Sequence, residues 1–198
     1  MSFIVYSLLF AVIIFDLYLV FKILEYFYCV YVMHQAPLLA SNKKLRHHVV
    51  EHLSKHYPHA KHICEIGSGF GGLARNVARK TNANIYALEN IPFSVFISKT
   101  ADIFLKKHNN TTIWCDAFEY LKHTDKHFDV AIAYLGPKAT PKIPQYKDKI
   151  DVLISLDFEI PNLKPKRIID LKCGYVIYHK TKYPHKLFIY EFNRPHKH

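Results

Sequence analysis

The sequence predicts an α/β fold, a mostly parallel sheet wrapped by helices with an antiparallel edge, preceded by an apolar N-terminal helix. Three observations carry this expectation. From about residue 36, helix-like and strand-like stretches alternate, the pattern of a parallel sheet with crossover helices. The stretch HICEIGSGFGGLARNVARK, residues 62–80, runs from an apolar strand pattern through four of the chain's six glycines into a helix pattern. Residues 3–21, FIVYSLLFAVIIFDLYLVF, are apolar apart from Ser7, the tyrosines and Asp16.

Taken in order, the N-terminal segment comes first. As a helix rising about 1.5 Å per residue it spans roughly 28 Å, close to the hydrocarbon thickness of a bilayer. A secretory signal peptide is disfavoured, because residues 1–5 carry no basic side chain and no small-x-small cleavage site follows the long apolar run. The competing reading is a buried core helix, favoured by Asp16, which costs a few kcal/mol at a bilayer centre. Lys22 and Glu25 then form an i, i+3 pair, and Tyr26, Phe27, Tyr28 and Tyr31 have the character of an interfacial aromatic belt. Lys43, Lys44 and Arg46 follow, so the positive-inside rule predicts a single-pass membrane protein with its C-terminal domain on the cytoplasmic side. The expected division is an anchor and interfacial segment over 1–33 and one domain over 34–198.

NKKLRHHVVEHLSKHY places Leu45, Val49, Val50 and Leu53 at helical spacing and stops before Pro58. HICEIG reads as a buried strand, GLARNVARKT as a helix, NIYALE as a strand, FSVFISKTADIFLKKH as a helix and TTIWC as a strand. FEYLKHT reads as a short helix, FDVAIAYL and KIDVLISL as strands, and YVIYHKT and KLFIYEF as two last strands joined by a hairpin-like interval, KYPH. That interval predicts the antiparallel edge. The tail NRPHKH reads as loose.

Composition limits the partners. Twenty-seven Lys and Arg against 16 Asp and Glu give a net charge of +11, with 14 histidines besides. Such a chain is drawn to anionic surfaces, nucleic acid or a lipid leaflet, and basic residues beside a membrane are expected for the second reason alone. Cys29, Cys64, Cys115 and Cys173 are widely spaced with no C-x-x-C pair, which excludes a zinc frame or disulfide framework and suits a reducing compartment. No metal is expected.

Open α/β sheets bind ligands beyond the carboxyl ends of their strands, so the residues after each strand matter most. The glycines read as Gly67-x-Gly69-x-x-Gly72, a dinucleotide fingerprint, or as Gly67-x-Gly69-x-Gly71 preceded by an acid, the fingerprint of an S-adenosylmethionine site. They permit a tight turn and close approach of a ligand to the helix N-terminus, and they serve equally to pack strand on helix. Glu89 closes the second strand, where an acid can accept from ribose hydroxyls or simply be solvated. Asp116 follows the third strand and suits either an adenine amino group or the N-cap of the next helix, with Glu119 completing a capping box. Glu65, two residues before Gly67, favours a cationic sulfonium ligand and would repel a pyrophosphate. Tyr134 follows the fourth strand and either lines an acceptor channel or is an ordinary strand-end aromatic.

The layout resembles the class I S-adenosylmethionine-dependent methyltransferases, and within them the small membrane-anchored protein-lysine methyltransferases that act on the ATP synthase c subunit. APLLASNKKLRHHVVEHL is similar to that family's pre-sheet motif, EIGSGFGGLA to its glycine motif, YALENIPFSVFISK to its acid and following turn, and DVAIAYLGP to its fourth strand and active-site loop. The resemblance implies a Rossmann-like seven-stranded sheet. It also implies S-adenosylmethionine as cofactor, with Glu65, Gly67, Gly69 and Gly71 at its methionine end, Glu89 at its ribose, Asp116 at its adenine and Ser41 closing over it. Phe70 stands where the family often has an acid, and YLGP departs from the Asn/Asp-Pro-Pro-Tyr loop of amide and base methyltransferases.

The function expected is methyl transfer to a protein lysine on a membrane-associated substrate, with residues 3–21 in contact with lipid and Tyr134 in the acceptor channel. Alternatives are methylation of a lipid, quinone or other small molecule, and a non-catalytic membrane-attached binding module. Nucleic acid is the weaker partner, because no appended RNA-binding module is visible.

Overall fold

A computed structural model describes residues 2–27, 41–105, 108–178 and 181–192, and the chain divides into two compact units, Met1–Leu38 and Leu39–His198. The side chains of Lys22, Glu25 and Tyr26, the residues Tyr28 and Tyr31, the APLLA part of the pre-sheet motif and the NRPHKH tail lie outside the described parts.

In the first unit α1 (Ser2–Phe27) is one helix. Its segment Phe3–Phe21, 19 residues with a mean hydropathy of 2.5, is long and apolar enough to cross a membrane, and none of it is buried. Ser7 disposes of its one polar group locally, donating its hydroxyl to the Phe3 carbonyl at 2.9 Å.

In the second unit α2 (Lys43–His56) starts where Asn42 caps it, Oδ1 accepting from the Leu45 amide at 2.8 Å. Leu45, Val49, Val50 and Leu53 form its buried stripe, as their spacing predicts. Then follow β1 (His62–Ile66), α3 (Gly72–Lys80), β2 (Asn84–Glu89), α4 (Pro92–Asp102), β3 (Asn110–Trp114), α5 (Ala117–His123), β4 (Phe128–Ala133), a 3₁₀ stretch (Thr140–Lys149), β5 (Ile150–Leu156), β6 (Arg167–Tyr178) and β7 (Thr181–Glu191). The strands make one seven-stranded sheet ordered β3-β2-β1-β4-β5-β7-β6. β1 to β5 are parallel, and β7 runs antiparallel to both neighbours. One apolar cluster, with Leu45, Leu53, Leu73 and Ile132, covers one face; another, with Leu121, Phe128, Ile143 and Tyr190, covers the other.

Five details differ from the sequence expectations. The fourth helix ends at Asp102, whose carboxylate turns to Thr112 on β3 (2.7 Å), and the chain then bends through Leu105, which is buried. The strand FDVAIAYL stops at Ala133. β6 begins at Arg167, earlier than YVIYHKT suggests; a register shift between Asp170 and Tyr175, with Gly174 at φ 125°, masks its alternation. KYPH is no hairpin: Tyr183 and Pro184 lie inside β7, paired with Val176 and Tyr175. The 3₁₀ stretch, with prolines at 141 and 144, carries no helical periodicity and was not foreseen.

Candidate functional site

β1 and β4 are neighbours while β2 lies on the other side of β1, so the chain's crossovers diverge at the carboxyl end of β1, where open sheets form a crevice. The glycine loop sits there. Gly67, Gly69 and Gly71 all have positive φ, at 73°, 54° and 67°, conformations other residues take at a cost. A Cβ at Gly67 would stand 2.6 Å from Leu135 Cδ2, and one at Gly71 2.1 Å from Ser98 Oγ. The loop is tied to β2 by the Gly67 and Ser68 amides, which both donate to the Leu88 carbonyl at 3.0 and 2.9 Å.

Glu65 lies beneath this loop, 5% exposed, with Oε2 buried and unpartnered. Burial pushes its carboxyl up to about 8, with the Glu89 charge adding to the effect, while an Ala74 backbone hydrogen bond and the charges of Arg75 and Arg46 oppose it. Such a group is poised to ionise when a cation arrives and is hostile to an anion. The electrostatics at the loop therefore favour an ammonium or sulfonium over a pyrophosphate. The buried Ser68 hydroxyl is a second polar atom without a partner.

Glu89 closes β2 and is 4% exposed. Its Oε2 accepts from the Gly69 amide at 2.6 Å, and its Oε1 from the Asn90 and Ile91 amides at 2.9 and 2.8 Å. Glu89 thus pins the middle of the glycine loop, a role the sequence did not reveal, and a carboxylate with about four acceptor sites retains room for another donor. Asp116 caps α5 through Oδ1, accepting from Phe118 and Glu119 amides at 2.8 and 3.3 Å. Its side chain is exposed at the carboxyl end of β3, so capping and ligand roles are compatible. Ser41 is partly buried, immediately ahead of the cap residue of α2. Asp116, Glu89, the loop with Glu65, and Tyr134 follow the carboxyl ends of β3, β2, β1 and β4, four neighbouring strands.

Two arginines also belong here. Arg46 Nη1 lies 2.2 Å from where a Gly72 Cβ would be, so Gly72 leaves room for the guanidinium, and Arg46 Nε is buried without a partner. Sequence reading placed Arg46 only among juxtamembrane cations; the second of two adjacent glycines was the available signal. Arg75 of α3 bonds Ser98 Oγ and Asp102 Oδ1 at 3.2 and 3.3 Å and also donates to the Phe70 carbonyl. Ser98 Oγ and Thr112 Oγ1, 2.9 Å apart, close this network onto β3. Phe70, where an acid was expected from the resemblance, turns edge-on to Phe93, with ring centroids 6.5 Å apart.

Beyond β4 the partly buried Tyr134 faces Asp157. Burial first, and then the Asp157 carboxylate as charge and hydrogen-bond partner, push its phenol far above the usual tyrosine range. Asp157 follows β5 at φ 63°, and its Oδ1 accepts from the Lys186 amide at 3.0 Å. His185 Nδ1 is 2.8 Å from Asp157 Oδ2, and His185 Nε2 is 3.2 Å from Asn42 Nδ2. The sequence singles out Tyr134 but not the residues behind it, because they come from the cap of α2, the turn after β5 and the middle of β7.

Among the described residues no group of three or more His, Cys, Asp or Glu side chains is placed to hold a metal ion. Cys64 and Cys173 are buried and Cys115 is partly so; burial pushes the Cys115 thiol up to about 11 and raises the other two.

No protein-family model and no curated protein sequence matches the chain. Solved structures do. An RNA methyltransferase from Salinibacter ruber in complex with S-adenosyl-L-homocysteine is 19% identical, with a TM-score of 0.60 over 80% of this chain and 98% of that one. The precorrin-6y C5,15-methyltransferase of Geobacter metallireducens is 14% identical, with a TM-score of 0.60 over 78% and 91%. TrmK of M. capricolum in complex with S-adenosyl-homocysteine is 14% identical, with a TM-score of 0.53 over 74% and 68%. The second unit therefore has the fold of these methyltransferases.

Proposed function

We propose that the chain is an S-adenosylmethionine-dependent methyltransferase that modifies a protein lysine and is held at a membrane by α1. The observation that carries the activity is the buried Glu65 carboxylate, its Oε2 unpartnered, beneath a glycine loop of three positive-φ residues at the switch point of the sheet. An orphaned carboxylate oxygen next to open backbone is a place for a cationic group, and the structural neighbours bound to S-adenosylhomocysteine support the same cofactor. Bound there, the cofactor supplies an electrophilic methyl on sulfur.

The residues of this chain then have distinct tasks. Glu65 holds the cofactor's amino group, Gly67, Gly69 and Gly71 admit its methionine end to the backbone, Ser41 closes over it, Glu89 shares a ribose hydroxyl and Asp116 takes the adenine amino group. Tyr134 faces the Asp157 carboxylate, and a phenol that turns its hydroxyl hydrogen there keeps its oxygen as an acceptor. An amine N–H is the donor that matches it, and a site excluding water favours the neutral, nucleophilic amine. For α1, a bilayer-length apolar helix with Lys43, Lys44 and Arg46 beyond it supports a membrane anchor with the second unit on the cytoplasmic side.

The test is calorimetric titration of the intact chain in detergent with S-adenosylhomocysteine, beside a Gly67→Arg variant checked for folding by its melting transition. Saturable binding lost in the variant is expected. A folded protein without binding would leave a non-catalytic membrane-attached module. Labelled methyl transfer into total membrane protein, lipid and RNA then identifies the acceptor. RNA is the second reading, favoured by the Salinibacter ruber neighbour and the +11 charge.

A further inference from the structure

We propose that the outer face of α4 and the adjoining edge strand β3 form a docking surface for an anionic lipid bilayer. The inference rests on the reading of α1 as an anchor. α4 turns Ser94, Val95 and Ser98 into the protein. At about 100° per residue the opposite side carries Phe96, Thr100 and Ile103. Phe96 is 64% exposed, Ile103 76% and the next residue, Phe104, 81%.

Trp114 continues this surface. β3 is the terminal strand of the sheet, and Thr112 is fixed towards α4 by Ser98 at 2.9 Å and Asp102 at 2.7 Å. Two residues on, Trp114 shares that face. It is 63% exposed, with its indole N–H donated to the Asn90 carbonyl just ahead of α4 at 3.2 Å. Large exposed apolar side chains gathered at one edge mark an interaction surface.

Chemistry and connectivity name the occupant. Phenylalanine, isoleucine and tryptophan beside lysine are the composition of interfacial membrane surfaces. Lys99 is exposed on α4, and Arg79 and Lys80 are exposed at the end of α3. That end is joined to the start of β3 by Asn109 Nδ2, which donates to the Ala78 and Ala83 carbonyls at 3.2 and 2.8 Å. The nearby Asp102 is already engaged by Arg75 and Thr112. These cations match anionic headgroups. A unit tethered to a bilayer-length helix also meets lipid at far higher effective concentration than any dissolved partner.

Trp114 is the chain's only tryptophan, so its fluorescence reports this surface alone. The experiment uses the full chain in phosphatidylcholine vesicles with about 30% phosphatidylserine, with and without bromine on the acyl carbons near the headgroup. Carbonate extraction in parallel reports α1 independently. The expected result is a blue-shifted emission quenched roughly twofold or more by the brominated lipid, with quenching lost in a Phe96→Ser, Ile103→Ser, Phe104→Ser variant that still resists carbonate. Trp114 quenched by aqueous acrylamide and untouched by bromine, in a chain that carbonate does not release, overturns the docking surface and leaves the anchor standing. Release by carbonate overturns the anchor. Shielding from both quenchers that deepens with protein-to-lipid ratio means that a second copy covers the patch, and also overturns the proposal.

Discussion

Nδ1 of His185 lies 2.8 Å from Oδ2 of Asp157, and the two side chains are only 4% and 0% exposed. Asn42 sets the tautomer. Because its Oδ1 caps α2, its amide nitrogen faces His185 Nε2, which must accept; Nδ1 then carries the hydrogen and donates to Asp157. A buried carboxylate is thereby satisfied by a neutral imidazole and a backbone amide, with the Tyr134 phenol facing it.

Removing that carboxylate leaves buried donors unpaired. Asp157→Ala is expected to cost about 3 kcal/mol of stability in urea denaturation. Asp157→Asn should cost clearly less, since asparagine keeps an acceptor and tolerates the 63° φ of this position. Equal losses would mean that charge alone matters.

On the proposed function, Tyr134→Phe deletes the hydroxyl that lines the acceptor channel beside Asp157. Affinity for S-adenosylhomocysteine should stay within about twofold while transfer to a lysine acceptor falls roughly 10- to 100-fold in kcat. A fall in cofactor affinity instead would place Tyr134 on the cofactor.

Glu65 gives a pH signature. Its folded carboxyl is raised to about 8 against an ordinary value of 4.5, so the folded state prefers the protonated form. Ionisation therefore destabilises the unliganded protein progressively as pH rises from the lower value to the higher. Glu65→Gln should match the wild type near the acid end of that window and exceed it by up to a few kcal/mol at its alkaline end. Titration with S-adenosylhomocysteine should release protons, read as a dependence of the heat on buffer ionisation enthalpy. A flat stability difference across pH would show that Glu65 does not carry the shift.

Gly71→Ala meets Ser98 Oγ at 2.1 Å and Arg75 Nη1 at 2.7 Å in a positive-φ backbone. A loss of about 2 kcal/mol in the melting transition is expected. Arg75→Met, which leaves the Asp102 charge with the Thr112 hydroxyl but no cation, should cost about 3 kcal/mol, and adding Asp102→Leu should recover part of it.

The contrast between what was legible in the sequence and what was not follows contact distance along the chain. Glu65, the glycines, Glu89 and Asp116 are each announced by the strand whose carboxyl end they lie at, because a parallel sheet sends every carboxyl end to one edge. The Asp157–His185 and Asn42–His185 contacts join residues 28 and 143 positions apart, and no local pattern records such a meeting. Pro184 misled for a physical reason: a residue without an amide hydrogen usually ends a strand, but opposite the irregular stretch of β6 it is tolerated. Glu89 stands out in the sequence, but its hydrogen bond from the Gly69 amide does not, since that partner is set by the fold of the turn.

The placement of β7 between β5 and β6 has a consequence for synthesis. While the polypeptide leaves the ribosome, β5 presents an unpaired backbone edge flanked by isoleucine, valine and leucine side chains until the last strand of the sheet arrives to cover it. The apolar N-terminal helix emerges long before that moment. A nascent chain stalled before β7 would present a sticky border to its neighbours on the same polysome.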